Sequence, residues 1–536
     1  MAATLESVDQ APGELIPVSR TRIEDGNLSL EMKTLSASYE GRFDAGQDAW
    51  VGTWRQGTTL PLIWTRGPVP SRPTIDGLDG IWRGTLERSG TTLRLILHIS
   101  SSSRGTRAKL DSPDMGIAGL DVIELSRQIN HVHLRVPLAL VVFEGELTDK
   151  AMSLSGPWRR EGQPVANVKF ARSTESPPLS DQRPQTPHAP FGYAVEAVTF
   201  SNPQAHIELA GTLTCPQGPG PFPAAILVSG SGPEDRDESG FGHKPFAVLA
   251  DHLTREGIAV LRFDDRGVEQ SGGDFGSATT ADFASDVRAA VTFLASQPKI
   301  NRRTIGLIGH SQGGVVGPIA AVDNPSVAYL VLLAAPATSM TDLLLSQRRM
   351  TGVLQGLTEA SLAADEPTLT RLYKAVAKAN DRAEAQAQVS AMMTPNIMKQ
   401  LGISETMKPA TIDQLTGDWL RVLLHYDATA TLSSIHIPVL ALDGSLDQLV
   451  QPAPNLAAIR NALANNQDAT VRLLPGLNHM FQTARSGAIV EYRDISETFS
   501  PQAMQLISDW INSRFGAAGT SPSESAMRLF GQSPTP

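Results

Sequence analysis

Apolar and polar side chains alternate strictly through Leu93-Arg94-Leu95-Ile96-Leu97-His98-Ile99 and His131-Val132-His133-Leu134-Arg135-Val136. A period of two places successive side chains on opposite faces of a strand. The first third of the chain therefore predicts short, regular β-strands of the sandwich or barrel kind. From about residue 191 the pattern changes. Apolar runs at 224–228, 260–263, 304–308, 329–334 and 439–442 read as buried strands, and 246–256 and 280–297 read as helices. An opening β pair is predicted at 195–200 and 207–213, and an edge strand at 470–474. Strands alternating with helices predict an α/β fold, with a mostly parallel sheet covered on both faces. Between Pro336 and about Ile435 that rhythm stops, and Ala/Leu/Met-rich helical stretches at 341–354, 369–379 and 383–393 take over. An insertion this long is too long for a simple connection and predicts a helical lid, about 337–435. Ser500-Pro501 supplies an N-cap and first-turn pair before a closing helix with Met504, Ile507 and Trp510 at helical spacing.

A repeat organises the β region. Tyr39-Glu40-Gly41-Arg42-Phe43 precedes Gly52-Thr53-Trp54-Arg55, and Phe143-Glu144-Gly145-Glu146-Leu147 precedes Gly156-Pro157-Trp158-Arg159. The same interval separates Tyr39 from Trp54 and Phe143 from Trp158. Ser7-Val8-Asp9-Gln10 aligns with Ser112-Pro113-Asp114-Met115. The second copy opens with Gly80-Ile81-Trp82-Arg83-Gly84-Thr85-Leu86, which has no counterpart upstream of Ser7. The expected organisation is a partial β module (1–68), a complete one (76–173), and a Pro/Ser-rich linker (174–190). An α/β domain (191–515) and a disordered tail (516–536) follow. Half a β module leaves a sheet edge exposed, so a start upstream of Met1 is expected, with room there for an export signal. The segment Met1–Asp9 itself has neither the basic nor the apolar stretch of a secretory signal. Without such an upstream signal, the expected location is cytoplasmic.

Composition narrows the classes. With 536 residues, more than one core is expected. The chain is 41% hydrophobic and 19% charged, as in globular proteins. A net charge of −10 without a basic cluster argues against a nucleic-acid surface. No run approaches the roughly 18 apolar residues of a membrane span. The single cysteine, Cys215, excludes an intrachain disulfide.

The chemistry centres on Gly309-His310-Ser311-Gln312-Gly313, G-x-S-x-G with a strand before it and a helix after it. A serine hydroxyl attacks a carbonyl only if it is exposed and paired with a base. A sharp strand-to-helix turn exposes it, and the helix N-terminus turns N–H groups toward developing negative charge. Among eleven histidines, His479 is the expected base, because it lies on a loop just past the last strand. His310 is excluded as base by adjacency to the serine. His98, His131 and His133 read as strand residues, and His425 and His436 lie near the end of the helical insertion. Asp443 and Asp447 both follow the 439–442 strand. Asp447 is preferred as the orienting acid because it lies on the loop beyond the turn, whereas Asp443 is still attached to the strand end. The order Ser311, Asp447, His479 is the one expected of an α/β-hydrolase. Backbone N–H groups of Ser231 and Gln312 are the expected oxyanion donors, because Ser229-Gly230-Ser231-Gly232-Pro233 lets the chain approach a substrate closely. No Gly-Lys-Ser/Thr makes those glycines a phosphate loop. Glu234-Asp235-Arg236-Asp237-Glu238 has no interleaved His or Cys and reads as an Arg-stapled loop rather than a metal site. No cofactor or metal is called for.

The region from about Tyr193 to Phe515 resembles the α/β-hydrolase superfamily, specifically bacterial serine esterases of the EstD-like kind, which neighbour the serine-aminopeptidase-like hydrolases. The resemblance rests on Gly230-Ser231-Gly232-Pro233-Glu234-Asp235-Arg236-Asp237, His243-Lys244-Pro245-Phe246 and Leu261-Arg262-Phe263-Asp264-Asp265-Arg266-Gly267. Added to these are the pentapeptide around Ser311, Asp443-Gly444-Ser445-Leu446-Asp447 and Asn478-His479. The β modules are similar to the N-terminal region of such esterases, whose relatives are commonly exported. Three departures stand out: Glu269 where a glycine is usual, Gln312 where an acidic residue is common, and the incomplete first β module. The expected activity is hydrolysis of short- to medium-chain carboxylic esters through an acyl-enzyme, with a small acyl ester as substrate. An aminopeptidase or amidase, or a thioesterase or lactonase with the same triad, is the alternative. A non-enzymatic role is disfavoured because every catalytic position is filled.

Overall fold

The computed structural model describes residues 183–516, apart from 355–356, 404 and 406. Within the first 173 it describes 3–5, 16–24, 26–32, 37–46, 48–56, 58–65, 73–88, 91–102, 105–115, 117–136, 141–148, 152–160 and 165–173. The upstream match at Ser7–Gln10, most of the expected linker and all but Gly516 of the expected tail lie outside the described residues.

Strands β1 (Ala3–Leu5) and β2 (Ile16–Val18) form an antiparallel pair. The next five are β3 (Arg20–Glu24), β4 (Asn27–Met32), β5 (Ala37–Asp44), β6 (Ala49–Gln56) and β7 (Thr58–Thr65), which form an open antiparallel sheet. Leu28, Leu30, Met32 and Tyr39 are buried on one face of it. Then β8 (Gly80–Arg88), β9 (Thr91–Ser102), β10 (Gly105–Ser112) and β11 (Ile117–Gln128) continue into β12 (His131–Val136), β13 (Val141–Thr148), β14 (Ser153–Arg160) and β15 (Ala166–Ser173). These eight close into a barrel, with β15 pairing back to β8. Alternation does the work here. Inward Leu93, Leu95, Leu97 and Ile99 fill the barrel with Trp82, Phe143 and Phe170, so its interior is packed side chain.

Two corresponding places in the open sheet and the barrel share one arrangement. A Cβ on Gly52 would lie 2.2 Å from the Glu40 carbonyl oxygen, and one on Gly156 would lie 2.1 Å from that of Glu144. The ring of Tyr39 covers Gly41, and that of Phe143 covers Gly145. An aromatic lying over a glycine two residues on replaces the packing the glycine lacks.

The third body is an eight-stranded sheet of β16 (Ala194–Asn202), β17 (Ile207–Cys215), β18 (Phe222–Val228), β19 (Ala259–Phe263), β20 (Ile300–His310), β21 (Tyr329–Leu333), β22 (Val439–Gly444) and β23 (Ala469–Leu474). Its spatial order is β16-β17-β19-β18-β20-β21-β22-β23, with β16 and β17 antiparallel and the rest parallel. The expected strands are all present, and β20 begins four residues earlier than its apolar core. The central parallel strands are buried on both faces because helices cover both, whereas the edge strand β23 is half-exposed and carries Arg472. On one side α1 (Pro245–Arg255) and, at the chain's end, α13 (Pro501–Phe515) pack on Ala225, Leu227, Val331 and Leu440. On the other, α2 (Thr280–Ala295) and α3 (Gly313–Ala321) pack on Ala224, Ile226, Leu307 and Leu330. Each such fully buried Leu or Ile is worth about 1.5–3 kcal/mol.

Between β21 and β22 the chain runs through α4 (Met340–Leu354), α5 (Glu359–Lys378), α6 (Arg382–Met392), α7 (Pro395–Leu401), α8 (Lys408–Leu415), α9 (Asp418–Leu424) and α10 (Ala428–Ser433). This helical insertion has its own core around Leu369, Leu372, Tyr373, Val389 and Leu420. Thr358, Asp381 and Thr394 cap α5, α6 and α7 by accepting a backbone N–H, and α5 begins ten residues before the helix expected at 369–379. After it come α11 (Pro452–Ala462) and α12 (Ile489–Tyr492). The barrel meets this body where Arg94, paired with Asp114, also bonds Asp494 at 2.8 Å. No helix among the described residues is long and apolar enough to cross a membrane.

Candidate active site

The candidate residues gather at the carboxyl ends of the parallel strands, where loops from several strands converge. Ser229–Gly232 follow β18, Ser311 follows β20, Asp447 follows β22 and His479 follows β23.

Ser311 holds φ at 51°, left-handed backbone that costs a non-glycine residue about 1–2 kcal/mol. The turn survives because its surroundings fix it. The Ser311 N–H donates to the Leu333 carbonyl at 2.9 Å, and the Gly314 N–H to that of Ser311 at 2.9 Å. The glycines are required by contact. A Cβ on Gly309 would sit 2.1 Å from the Gly313 carbonyl oxygen, and one on Gly313 would sit 2.1 Å from that of Val228. Hence G-x-S-x-G: the strand and helix press together too closely at both positions for any larger residue.

The structure brings His479 and Asp447 together. Nδ1 of His479 lies 2.6 Å from Oδ2 of Asp447, and both side chains are buried. The other oxygen, Oδ1, accepts the N–H groups of Leu449 at 2.7 Å and Val450 at 2.9 Å. Those two donors aim Oδ2 at the imidazole, so Nδ1 carries the proton and Nε2 is left as the basic nitrogen. The base loop is itself braced. Asn478 and Gln482 exchange side-chain and backbone bonds, and Phe481 stacks on Phe499 with centroids 5.3 Å apart.

Asp443 lies buried on β22 beside Asp447 and accepts the Gly444 N–H, while its Oδ2 has no conventional partner. Burial pushes its pKa up, and the neighbouring Asp447 carboxylate pushes it further. Both effects favour the neutral acid, whose proton would give the otherwise partnerless oxygen a hydrogen to donate toward Asp447.

Ser231, Ser311 and Gln312 line one pocket with Val315, Pro336, Met340, Leu343, Leu344, Gln347, Trp419 and Leu423. Its roof comes from α4 and α9 of the helical insertion. Among the described residues, no acceptor takes the backbone N–H of Ser231 or Gln312, so both are free to serve an anion. Gln312 also borders a second pocket, with Val228, Ser229, Phe263, Phe275, Phe283 and Val316.

The acidic loop is stapled by arginine. Arg236 forks onto Asp264 with Nε at 2.9 Å and Nη2 at 2.5 Å, and Arg262 bonds Asp237. Ser229 donates to Asp265 at 2.8 Å, and Arg266 pairs with buried Asp286 at 2.7 Å. The Asp-Asp-Arg-Gly stretch thus holds the loop carrying Ser231 against the sheet. Burial raises Glu234 to about 8 and Asp265 to about 7, with neighbouring carboxylates adding to both. Glu269 adopts φ 47°, which explains why a glycine is usual at that position.

Two features escaped the sequence reading. His310, excluded as a base, pairs with Glu238 at 2.9 Å. The described end of the expected linker is fastened down. Gln185 accepts the N–H groups of Thr498 and Phe499, and Arg183 bonds the carbonyls of Phe241 and Arg493. No local pattern betrays pairs so distant in sequence.

Residues 243–484 match the model of the serine aminopeptidase family, S33. Esterase EstD of Thermotoga maritima is 33% identical over 166 residues, which is 31% of this chain and 38% of that protein. An uncharacterized protein of Mycobacterium tuberculosis is 34% identical over 125 residues, 23% of this chain and 39% of that one. The matches thus span about two fifths of these relatives' length. The Pyrococcus furiosus esterase Pf2001 superposes with a TM-score of 0.38 at 14% identity, covering 61% of this chain and 92% of that one. Est1E of Butyrivibrio proteoclasticus, solved with ferulic acid, gives 0.37 at 16%, covering 59% and 97%. The antiparallel opening pair, the β19–β18 crossover and the elbow after β20 give the region from β16 to α13 an α/β-hydrolase fold, preceded by an all-β region, and it is within this fold that residues 243–484 are similar to the serine aminopeptidase family.

Proposed function

We propose that this protein is a serine esterase that hydrolyses carboxylic esters through an acyl-enzyme. The observation that carries the reading is the pocket shared by Ser311 and the two unengaged N–H groups of Ser231 and Gln312. His479, oriented by Asp447, removes the Ser311 proton as Oγ attacks the acyl carbon. The oxyanion rests on the two N–H groups, the alcohol leaves with a proton from His479, and water repeats the sequence to release the acid.

The helical insertion acts as the lid over 337–435. Leu343, Leu344, Trp419 and Leu423 give the pocket an apolar wall suited to a short- to medium-chain acyl group. The family name favours a peptidase as second reading. A peptidase that recognises a free amino terminus needs a carboxylate for the ammonium, and none is among the described residues lining this pocket. Thioesters and lactones would suit the same machinery. The β region is read as two modules, 1–68 and 76–173, joined to 191–515 by 174–190. The shared glycine–aromatic arrangement supports that division.

The test is a side-by-side assay of p-nitrophenyl butyrate, an acyl thioester and an aminoacyl amide. The proposal expects turnover of the ester to exceed that of the amide by orders of magnitude. Preference for the amide would replace it with the peptidase reading.

A further inference from the structure

The proposed mechanism leaves a second buried histidine–carboxylate pair unused, directly beside the first. His310 Nδ1 lies 2.9 Å from Glu238 Oε1, and His310 Nε2 lies 2.9 Å from the main-chain oxygen of His479. The same Glu238 oxygen accepts the Gly230 N–H at 2.7 Å. Both side chains of the pair are 7% exposed. The two imidazoles stand 4.8 Å apart, centroid to centroid.

We infer that His310 is a buried imidazolium which, with Glu238, locks the oxyanion loop, the nucleophile turn and the base loop into one register. This inference rests on the esterase reading for its catalytic consequence and on geometry for its protonation. Both ring nitrogens face oxygens that accept. A carbonyl has no proton to give, and Glu238 Oε1 already receives an N–H. Nε2 must therefore supply its own hydrogen, and with Glu238 as the carboxylate Nδ1 must do so too, which only the cation can do.

Three loops meet at this pair. Gly230 precedes Ser231, His310 precedes Ser311, and the carbonyl belongs to His479 itself. The fit is close: a Cβ on Gly230 would lie 3.1 Å from Glu238 Oε1 and 3.4 Å from Cβ of Ser311. Glu238, like Ser311, is held at φ 51°, so the fold sustains left-handed strain at both anchor points. The groups facing the His310 charge are Glu238, the His479 ring with its partner Asp447, and Glu234. Burial opposes the cation, but Glu238, the His479 carbonyl and Asp447 outweigh it and raise the group to about 9. Glu238 and His310 are positioning residues, since neither touches the reacting atoms.

The experiment has two arms. In the first, [15N]histidine-labelled protein at about pH 7.5 is examined by NMR, with His310→Gln assigning the signal. Both ring nitrogens of His310 are expected to be protonated; a ring with one bare nitrogen overturns the inference. In the second, Glu238→Gln keeps the shape and removes the charge. Its kcat and its rate of fluorophosphonate labelling are expected to fall about 10- to 100-fold with KM within about threefold. Glu238→Asp, which keeps the charge, should recover part of the loss. Loss within about twofold for a folded Glu238→Gln protein would show that the pair positions nothing. An unmodified protein that does not react with the fluorophosphonate would overturn the esterase reading instead, and the ring signal would then decide the pair alone.

Discussion

Nδ1 of His479 bonds Oδ2 of Asp447 across 2.6 Å, although 32 residues separate them. The bond sets the imidazole tautomer, and two backbone N–H groups on the far oxygen hold the carboxylate in place. Asp447→Asn keeps the shape but presents an amide that can turn its N–H toward the ring and stabilise the wrong tautomer. The expected loss in kcat is about 10⁴-fold with little change in unfolding midpoint. Steady-state kinetics beside a urea titration measures both.

Leu343 and Trp419 wall the pocket that holds Ser311. Truncation of either to alanine deepens the pocket without touching Ser311, Asp447 or His479. The ratio of kcat/KM for p-nitrophenyl octanoate over the butyrate is expected to rise about tenfold. An unchanged ratio would place the acyl chain elsewhere, with the pocket lined by Phe263, Phe275 and Phe283 the next candidate.

Glu269 is exposed and sits at φ 47°. Glycine adopts that conformation freely, and part of the gain is returned as entropy of the unfolded chain. Glu269→Gly is therefore expected to stabilise the protein by up to about 1 kcal/mol in urea unfolding, with activity unchanged.

Stability should fall from neutral to alkaline pH. His310 is raised to about 9, above its unfolded value of about 6.5, so its contribution is complete below that value and disappears as pH rises through about 9. Glu234 and Asp265, raised to about 8 and about 7, contribute stability that is complete below their unfolded values of about 4 and is lost as pH rises through the folded ones. Burial lowers His243 to about 4, and nearby Arg183 adds to that. Its contribution is complete above about pH 6.5 and is lost as pH falls through about 4. Urea midpoints at about pH 6.5, 8 and 9.5 should fall in that order. A midpoint at about pH 9.5 equal to that at 6.5 would contradict the assignment of His310.

Much of this was legible in the sequence. Ser311 could be read because a local motif sits between a strand and a helix, and each glycine in it answers a backbone contact. His479 and Asp447 could be read because chain order and strand ends limit the choices. The strands of the parallel sheet announced themselves as apolar runs, since both faces are covered. Glu238 and His310 could not be paired, because 72 residues lie between them and neither stands out within its own motif. Asp443 looked like a strand-end residue, and only its burial beside Asp447 makes it an acid kept neutral. The role of Gln185 was hidden for the same reason: its partners at Thr498 and Phe499 lie more than 300 residues away.

The central claim is that Ser311 is a nucleophile activated by His479. Intact-protein mass spectrometry after treatment with a fluorophosphonate tests it most directly. One adduct, mapped to Ser311, is expected, absent in Ser311→Ala and strongly slowed in His479→Ala. Labelling that persists in Ser311→Ala, or no labelling of the unaltered protein, would contradict it.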